Sequence, residues 1–210
     1  MVDALRAAAD RHGIVLLAVQ STDENWDAVD IFFDAYERGS PEGRTRWPTP
    51  RFGADARRID TALSALFRRA AIDPASIGIL GFSHGASYAL SLGAANPQLF
   101  GMIIAFSPGI LVLPAGAGGQ RVYVSHGSSD AVLPYRRTRT SFLPRLVDLG
   151  FIVTFRPFEG GHILPDAVVD EAVDLFQRRP SYRGHGARPV QDRLRQGRAL
   201  TRRSAGRAVH

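Results

Sequence analysis

The sequence predicts an α/β fold in which helices cover both faces of a mostly parallel sheet. Short apolar runs that suit buried strands alternate along the chain with amphipathic segments of helical periodicity. Such alternation favours parallel strands, because each helix returns the chain to the edge of the sheet at which the next strand begins. The 210 residues allow one domain with a sizeable core, which we expect to occupy residues 1–177.

The first third of the chain predicts a helix, a strand and a second helix. Apolar residues at helical spacing predict a helix over Val2–His12. The continuous apolar run Ile14–Val19 predicts a strand that is buried on both faces. Residues 20–52 are polar and rich in Gly and Pro, so we expect a surface excursion with a helical turn near residues 27–33. An amphipathic helix is then expected over residues 53–71.

The remaining chain predicts further strands and helices in alternation. The strands are expected at Ile77–Leu80, Met102–Phe106, Arg121–His126 and Phe151–Arg156. The helices are expected at Ala86–Ala95, Tyr135–Leu149 and Pro165–Gln177. In an open parallel sheet the chemistry lies beyond the carboxyl ends of the strands, so functional residues are expected in the loops that follow them.

A serine lies between two glycines where the strand at Ile77–Leu80 runs into a helix. The segment Gly81–Gly85 fits the pattern G-x-S-x-G in the strand, turn and helix context that its mechanism requires. The tight turn lifts the hydroxyl of Ser83 out of the sheet and places the backbone N–H of His84 beside any oxyanion that forms. We interpret the His84 side chain itself as structural, because a residue next to the nucleophile on a helix points elsewhere.

Two later loops carry candidates for the base and the acid that a serine nucleophile needs. Asp130 follows the strand at Arg121–His126, and His162 follows the strand at Phe151–Arg156. From the residues alone, Asp130 also suits a turn in which it bonds its own backbone, and His162, after two glycines, also suits a plain turn. Glu159, in the same loop as His162, is the alternative acid.

These motifs resemble the phospholipase/carboxylesterase branch of the α/β-hydrolases, which contains acyl-protein thioesterases and small bacterial serine esterases. The chain order serine, aspartate, histidine is that of the α/β-hydrolases. The resemblance is carried by Gly81–Gly85, by His126-Gly-Ser-Ser-Asp130 with Val132-Leu-Pro134, by Gly160-Gly-His162 with Pro165, and by Trp26-Asp27. It implies that Ser83 is the nucleophile, that His162 is the general base and then the acid, and that Asp130 fixes the tautomer of the imidazole.

The resemblance also implies strands before the first helix and a His-Gly loop that supplies a second oxyanion donor. This sequence begins with that helix, so we expect an α/β-hydrolase fold without the N-terminal strands, and we favour a true start upstream of Met1. Two functions are compatible with these motifs. The first is that of a serine esterase that cleaves small-molecule carboxylic esters or thioesters through an acyl-enzyme. The second is that of a catalytically weak or inactive binding protein, because losing one oxyanion donor costs about 10²- to 10³-fold in rate.

An apolar run in a predicted loop bears on specificity. Residues 107–120 form a loop rich in Gly and Pro, yet it contains Ile110–Leu113, four consecutive apolar residues. Exposed apolar patches usually bind something. We therefore expect Leu111 and Leu113 to line an apolar acyl site, with Trp26 and Leu133 opposite. The alternative is that the run extends a strand or fills the core.

The net charge of +6 is unevenly distributed, which argues against a nucleic-acid partner. Residues 178–210 hold ten arginines and one aspartate, so we expect a basic, disordered tail behind a mildly acidic body. The arginines of this tail lack interleaved aromatic residues beyond Tyr182.

Composition argues against a metal site, a membrane span and a secretory signal. The chain has no cysteine, and its six histidines lack a metal-binding spacing, so we expect neither a metal nor a cofactor. No apolar run is long enough to span a bilayer, and the charged residues within Met1–Asp10 do not fit a secretory signal. We therefore expect a cytoplasmic location.

Overall fold

The computed structural model describes residues 2–28 and 49–178 of the chain. Its strands are β1 Gly78–Phe82, β2 Met102–Phe106, β3 Arg121–Gly127 and β4 Ile152–Phe158. Its longer helices are α1 Val2–His12, α2 Ala54–Arg69, α3 His84–Ala95 and α6 Asp166–Gln177. Between β3 and β4 lie α4 Tyr135–Arg137, a π-helix Thr138–Phe142 and α5 Leu143–Asp148. The predicted tail from residue 179 and residues 29–48 of the predicted excursion lie outside the described residues.

The four strands form one parallel sheet in the order β1-β2-β3-β4. The last residues of neighbouring strands pair with each other or nearly so, since Phe82 pairs with Phe106 and Gly127 with Phe158. The carboxyl ends of all four strands therefore meet at one edge. The loops that carry Ser83, Asp130 and His162 leave the sheet at this edge.

Helices cover both faces of the sheet, as the sequence predicts. On one face, Leu90 of α3 and Leu146 of α5 pack in a cluster with Ile103 of β2. On the other face, Val168 of α6 packs with Ile104 of β2. Every residue of β2 is buried, as is typical of a parallel strand with helices on either side. The predicted fold class is confirmed: the protein has an α/β-hydrolase fold.

The predicted strand at Ile14–Val19 is wrong. Residues 14–20 join no sheet, and among the described residues no strand pairs with the outer edge of β1. Val15 is 52% exposed and Leu17 is 39% exposed. Residues of this segment and of β1 both line a cavity of about 690 Å³. An apolar run becomes a strand only when a partner satisfies its backbone groups, and no described strand pairs with this run.

The predicted helix at Tyr135–Leu149 is present, but its middle is π-helical. Pro144 near the start of α5 explains part of the irregularity. Proline has no N–H, so it cannot donate to the carbonyl four residues earlier, and its ring crowds that carbonyl. A wider turn before the proline accommodates both effects. Thr138 and Phe142, the first and last residues of the π-helix, are buried.

None of the helices in the described part of the chain is both long and apolar enough to cross a membrane. The helical turn expected near residues 27–33 is described only at its first two residues, Asp27 and Ala28, which are helical.

Candidate active site

Ser83 occupies a strained turn between β1 and α3. Its φ of 58° and ψ of −123° lie in a region that residues other than glycine rarely adopt. Backbone hydrogen bonds hold the turn: the N–H of Ser83 donates to the carbonyl of Phe106 at 2.9 Å, and its carbonyl accepts from the N–H groups of Ala86 at 3.0 Å and Ser87 at 3.2 Å. A Cβ at Gly81 would collide with the carbonyl of Gly85. The first glycine of the motif is therefore required by the close approach of strand and helix.

The three residues of the predicted triad lie in one hydrogen-bonded row. Nε2 of His162 lies 2.9 Å from Oγ of Ser83, and Nδ1 of His162 lies 2.7 Å from Oδ2 of Asp130. The Asp130 side chain is fully buried, whereas that of His162 is 15% exposed and packs beside the ring of Phe82. These distances allow His162 to take a proton from the hydroxyl of Ser83.

The loops that bear Asp130 and His162 rest directly on each other. The N–H of Ser128 donates to the carbonyl of Phe158 at 2.8 Å, and the N–H of Ser129 donates to the carbonyl of Gly160 at 2.9 Å. A Cβ at Gly127 would overlap the carbonyls of Gly160 and Gly161. Glycine at position 127 thus allows the contact that sets His162 against Asp130.

The carboxylate of Asp130 bonds both to its own loop and to His162. Its Oδ1 accepts the backbone N–H groups of Val132 at 2.9 Å and Leu133 at 2.8 Å, while its Oδ2 faces His162. Burial works to raise the pKa of Asp130, but the hydrogen bonds from Leu133, His162 and Val132 outweigh it and hold the pKa below its ordinary value. Glu159, the alternative acid, is exposed to solvent. Asp130 therefore carries the negative charge that faces the imidazole.

Trp26 and Leu133 meet in one apolar cluster near the serine turn. The ring of Trp26 stacks on Tyr88 of α3 with a centroid separation of 4.5 Å. A Cβ at Gly85 would lie 3.6 Å from Nε1 of Trp26, so the indole borders the turn that holds Ser83. Trp26 and Leu133 are both partly buried and pack against Ile110 and Val112.

The structure corrects the expected placement of Leu111 and Leu113. Leu111 is 1% exposed and lies in the core cluster beneath α3, and Leu113 packs against the same cluster. Side chains of an extended segment alternate between two sides, so Ile110 and Val112 face Trp26 while Leu111 and Leu113 face the core. Four consecutive apolar residues show no alternation of their own in the sequence, and which pair faces the site depends on how the run docks on α3.

A buried aspartate, Asp55, and a partly buried one, Asp27, hold the loop that carries Trp26 by a pairing that the sequence did not reveal. Oδ2 of Asp27 accepts the N–H groups of Gly53 and Asp55, each at 3.0 Å. In return, Oδ2 of Asp55 accepts the N–H of Asp27 at 2.9 Å, and its Oδ1 accepts both the N–H and the hydroxyl of Thr22. Burial, with the charge of Asp55 adding to it, raises the pKa of Asp27. This reciprocal pair ties residues 22–27 to the start of α2.

The sheet and the strand–serine–helix turn define an α/β-hydrolase, and a family model described as phospholipase/carboxylesterase matches residues 51–175. The chain belongs to this phospholipase/carboxylesterase family. A comparison with curated proteins finds no match. In residues 2–28 and 49–178, no group of three or more His, Asp or Glu side chains is arranged to hold a metal ion.

Solved structures share the fold over part of their length. SOBER1 from Arabidopsis thaliana is 18% identical with a TM-score of 0.51, over 59% of this chain and 62% of that one. A carboxylesterase from Mesorhizobium loti is 18% identical with a TM-score of 0.50, over 77% of this chain and 72% of that one. The esterase PE8 is 30% identical with a TM-score of 0.49, over 59% of each chain. The chain thus spans about three fifths of the length of PE8 and SOBER1.

Proposed function

We propose that the protein is a serine esterase that cleaves carboxylic esters or thioesters of small molecules through an acyl-enzyme. The observation that carries the proposal is the row of hydrogen bonds from Ser83 through His162 to the buried carboxylate of Asp130. Membership of the phospholipase/carboxylesterase family supports it. The strained backbone of Ser83 supports it too, because such strain concentrates at active sites.

In the proposed reaction, Oγ of Ser83 attacks the carbonyl carbon of the substrate while Nε2 of His162 takes the hydroxyl proton. Asp130 stays ionised and stabilises the imidazolium. The backbone N–H of His84, at the start of α3, donates to the oxyanion. When the intermediate collapses, the C–O or C–S bond breaks and His162 gives its proton to the leaving group. Water then attacks the acyl-enzyme with His162 as base, which releases the acid and restores Ser83.

The apolar cluster beside the serine turn is our proposed acyl site. Trp26 and Leu133 are its accessible members, since both are only partly buried, whereas Ile110 and Val112 are fully buried behind them. We propose that Trp26 and Leu133 contact the acyl group and that Ile110 and Val112 support them. Leu111 and Leu113 have no part in this site, because they pack into the core.

Replacing the serine tests the proposal. Ser83→Ala should abolish turnover of p-nitrophenyl butyrate and labelling by a fluorophosphonate, because Oγ is the attacking atom in both reactions. Ser128→Ala is the matched control, since Ser128 is exposed in the loop that bears Asp130. Its activity should equal that of the wild type. A Ser83→Ala protein that keeps full turnover would refute the assignment.

A second candidate function is a hydrolase-fold protein that binds an acyl ligand without turning it over. One observation favours it: within residues 2–28 and 49–178, the N–H of His84 is the one backbone donor that we can assign to the oxyanion. One missing donor lowers the rate by about 10²- to 10³-fold. Slow labelling of Ser83 by fluorophosphonate without measurable ester turnover would favour this candidate, and turnover of several per second would exclude it.

A further inference from the structure

A row of buried polar groups continues from Asp130 away from the serine. Nε2 of His126 lies 2.9 Å from the carbonyl oxygen of Leu133 and 3.2 Å from Oδ2 of Asp130. Nδ1 of the same ring lies 2.9 Å from Oγ1 of Thr138. The side chains of His126 and Asp130 are fully buried, and Thr138 is 0% exposed. Oδ2 of Asp130 therefore faces two histidines, His162 on the serine side and His126 on the interior side.

The donors and acceptors of this row follow from its chemistry. A carbonyl and a carboxylate can only accept, so Nε2 of His126 carries a proton and shares it between Leu133 and Asp130. Nδ1 then accepts the hydroxyl proton of Thr138. Burial lowers the pKa of His126 in spite of the partners at Leu133 and Asp130, which favours the neutral ring. His126 is thus a neutral imidazole whose Nε2 proton is held by Leu133 and Asp130 and whose Nδ1 accepts from Thr138.

Thr138 reaches His126 from an unusual element. It is the first residue of the π-helix Thr138–Phe142, and π-helical turns are rare and frequently lie at functional sites. Thr140, two residues further on, is exposed and donates its hydroxyl hydrogen bond to the carbonyl of Arg136 at 2.9 Å. The same helical turn therefore presents one threonine to the site and one to solvent.

We propose that Thr138 and His126 are positioning residues for the reaction of Ser83. Thr138 fixes the orientation of the His126 ring, and His126 holds Asp130 so that Oδ2 faces Nδ1 of His162. Without the hydroxyl, Nδ1 of His126 is a buried acceptor that has lost its partner, so the ring turns and its Nε2–H no longer points at Oδ2 of Asp130. Asp130 would shift, and the imidazolium that forms in the transition state would be less well stabilised. The proposal rests on the serine-esterase function proposed above.

Three threonine variants test the proposal. Thr138→Val keeps the shape but removes the hydroxyl, Thr138→Ser keeps the hydroxyl, and Thr140→Val is the control on the same helix. With p-nitrophenyl butyrate we expect kcat of Thr138→Val to fall about tenfold with KM within twofold, since a displaced Asp130 stabilises the imidazolium of the transition state less well. Thr138→Ser should recover most of the loss, and Thr140→Val should match the wild type. Equal kcat for Thr138→Val and Thr140→Val would overturn the proposal.

Substitutions of the histidine provide a second test if Thr138→Val does not fold. The amide nitrogen of His126→Gln can replace Nε2 as a donor to Asp130, whereas the shorter side chain of His126→Asn cannot reach it. We expect the Gln variant to keep at least several times more kcat than the Asn variant, at similar KM. Equal kcat values for the two would overturn the proposal.

An NMR measurement separates this proposal from the esterase function. In protein with ¹⁵N-labelled histidine, the His126 ring of the wild type should show a protonated Nε2 whose proton is hydrogen-bonded, and the resonance of this proton should shift in Thr138→Val because the ring turns away from Asp130. The measurement needs no turnover, so a wild-type protein that is inactive would refute the esterase while the Nε2 proton still tests the positioning role. An unchanged Nε2 proton resonance in Thr138→Val would overturn the positioning role alone.

Discussion

At the scale of single residues, the two carboxylate oxygens of Asp130 have different partners. An aspartate in a Gly-Ser-Ser-Asp turn can bond its own backbone or face a histidine side chain. The structure assigns one carboxylate oxygen to each: Oδ1 to the loop and Oδ2 to His162. The hydrogen bonds that Oδ1 accepts from the backbone therefore orient Oδ2 towards His162.

This geometry predicts which acid orients the histidine. Asp130→Asn should lower kcat by as much as about 10⁴-fold, because the amide can present a donor to His162 and favour the wrong tautomer. Glu159→Gln should leave kcat unchanged within twofold, because Glu159 is exposed. Steady-state kinetics on p-nitrophenyl butyrate measure both. A larger loss in Glu159→Gln than in Asp130→Asn would transfer the role to Glu159.

The buried histidine gives a pH dependence with a definite sign. Burial lowers the pKa of His126 from its ordinary value of 6.5. Below pH 6.5 the unfolded chain therefore binds a proton that the folded chain does not, so the free energy of unfolding falls as the pH drops towards the folded-state pKa. Urea unfolding at several pH values should show a smaller decline in His126→Gln than in the wild type. Equal declines would show that His126 titrates alike in both states.

Asp130 affects the free energy of unfolding in a lower pH range than His126 does, so the two effects can be distinguished. Its pKa is lowered on folding from 3.8, so the stability that it contributes is fully present above that pH. This contribution is lost only as the pH falls through the still lower folded-state pKa. A decline between about pH 6.5 and 5 therefore does not come from Asp130.

At the scale of elements, the run Ile110–Leu113 shows how one extended segment serves both the core and the proposed site. The N–H groups of Gly109 and Ile110 both donate to Oγ of Ser87 at 3.1 Å, which fixes the start of the run on α3. Ser87 is completely buried. This anchor sets which alternate side chains reach Trp26 and which reach the core.

Two leucine substitutions should distinguish a residue of the core from a residue of the proposed acyl site. Leu111→Ala should lower the free energy of unfolding by about 2–5 kcal/mol without changing the preference for acyl chain length, because it leaves a cavity in the core. Leu133→Ala should mainly raise KM for longer acyl chains, since each buried methylene is worth about 0.8 kcal/mol. Urea unfolding and KM values for acetyl, butyryl and hexanoyl esters measure the two effects. A shift in chain-length preference with Leu111→Ala alone would contradict this division.

Some features of the fold could be predicted from local sequence patterns, and others could not. Ser83, Asp130 and His162 could be found because each follows a strand in a sequence whose alternation predicts parallel order, and parallel strands end at one edge. The unpaired Ile14–Val19 could not be predicted from its own residues, because pairing depends on a neighbouring strand. The Asp27–Asp55 pair joins residues distant in the chain, and no local signal links them.

At the scale of the whole molecule, an apolar cavity lies along the outer edge of the sheet. Its walls are the segment 14–19 on one side and β1 on the other. Strands of a parallel sheet are usually buried on both faces, yet only one residue of β1, Gly81, is fully buried. The described part of the chain thus leaves β1, the strand that leads to Ser83, at an accessible edge.

This cavity predicts dye binding that point substitutions can locate. The wild-type chain should enhance the fluorescence of anilinonaphthalene sulfonate, because the dye binds accessible apolar surface. Leu17→Glu should reduce the enhancement, since Leu17 lines the cavity. Ile152→Glu is the matched control, because Ile152 is an exposed apolar residue at the start of β4, away from the cavity. Equal effects of the two substitutions would show that the dye binds elsewhere.

The central claim is that Ser83 forms an acyl-enzyme with His162 as its base, and the most direct test is the mass of the protein during turnover. Wild-type protein should be mixed with p-nitrophenyl acetate and quenched in acid. Its intact mass is then measured by mass spectrometry, and the modified residue is located by peptide digestion. We expect one added acetyl group on the peptide that contains Ser83, an equal addition in Ser128→Ala, and none in Ser83→Ala. An acetyl group on another residue, or an unchanged addition in Ser83→Ala, would contradict the claim.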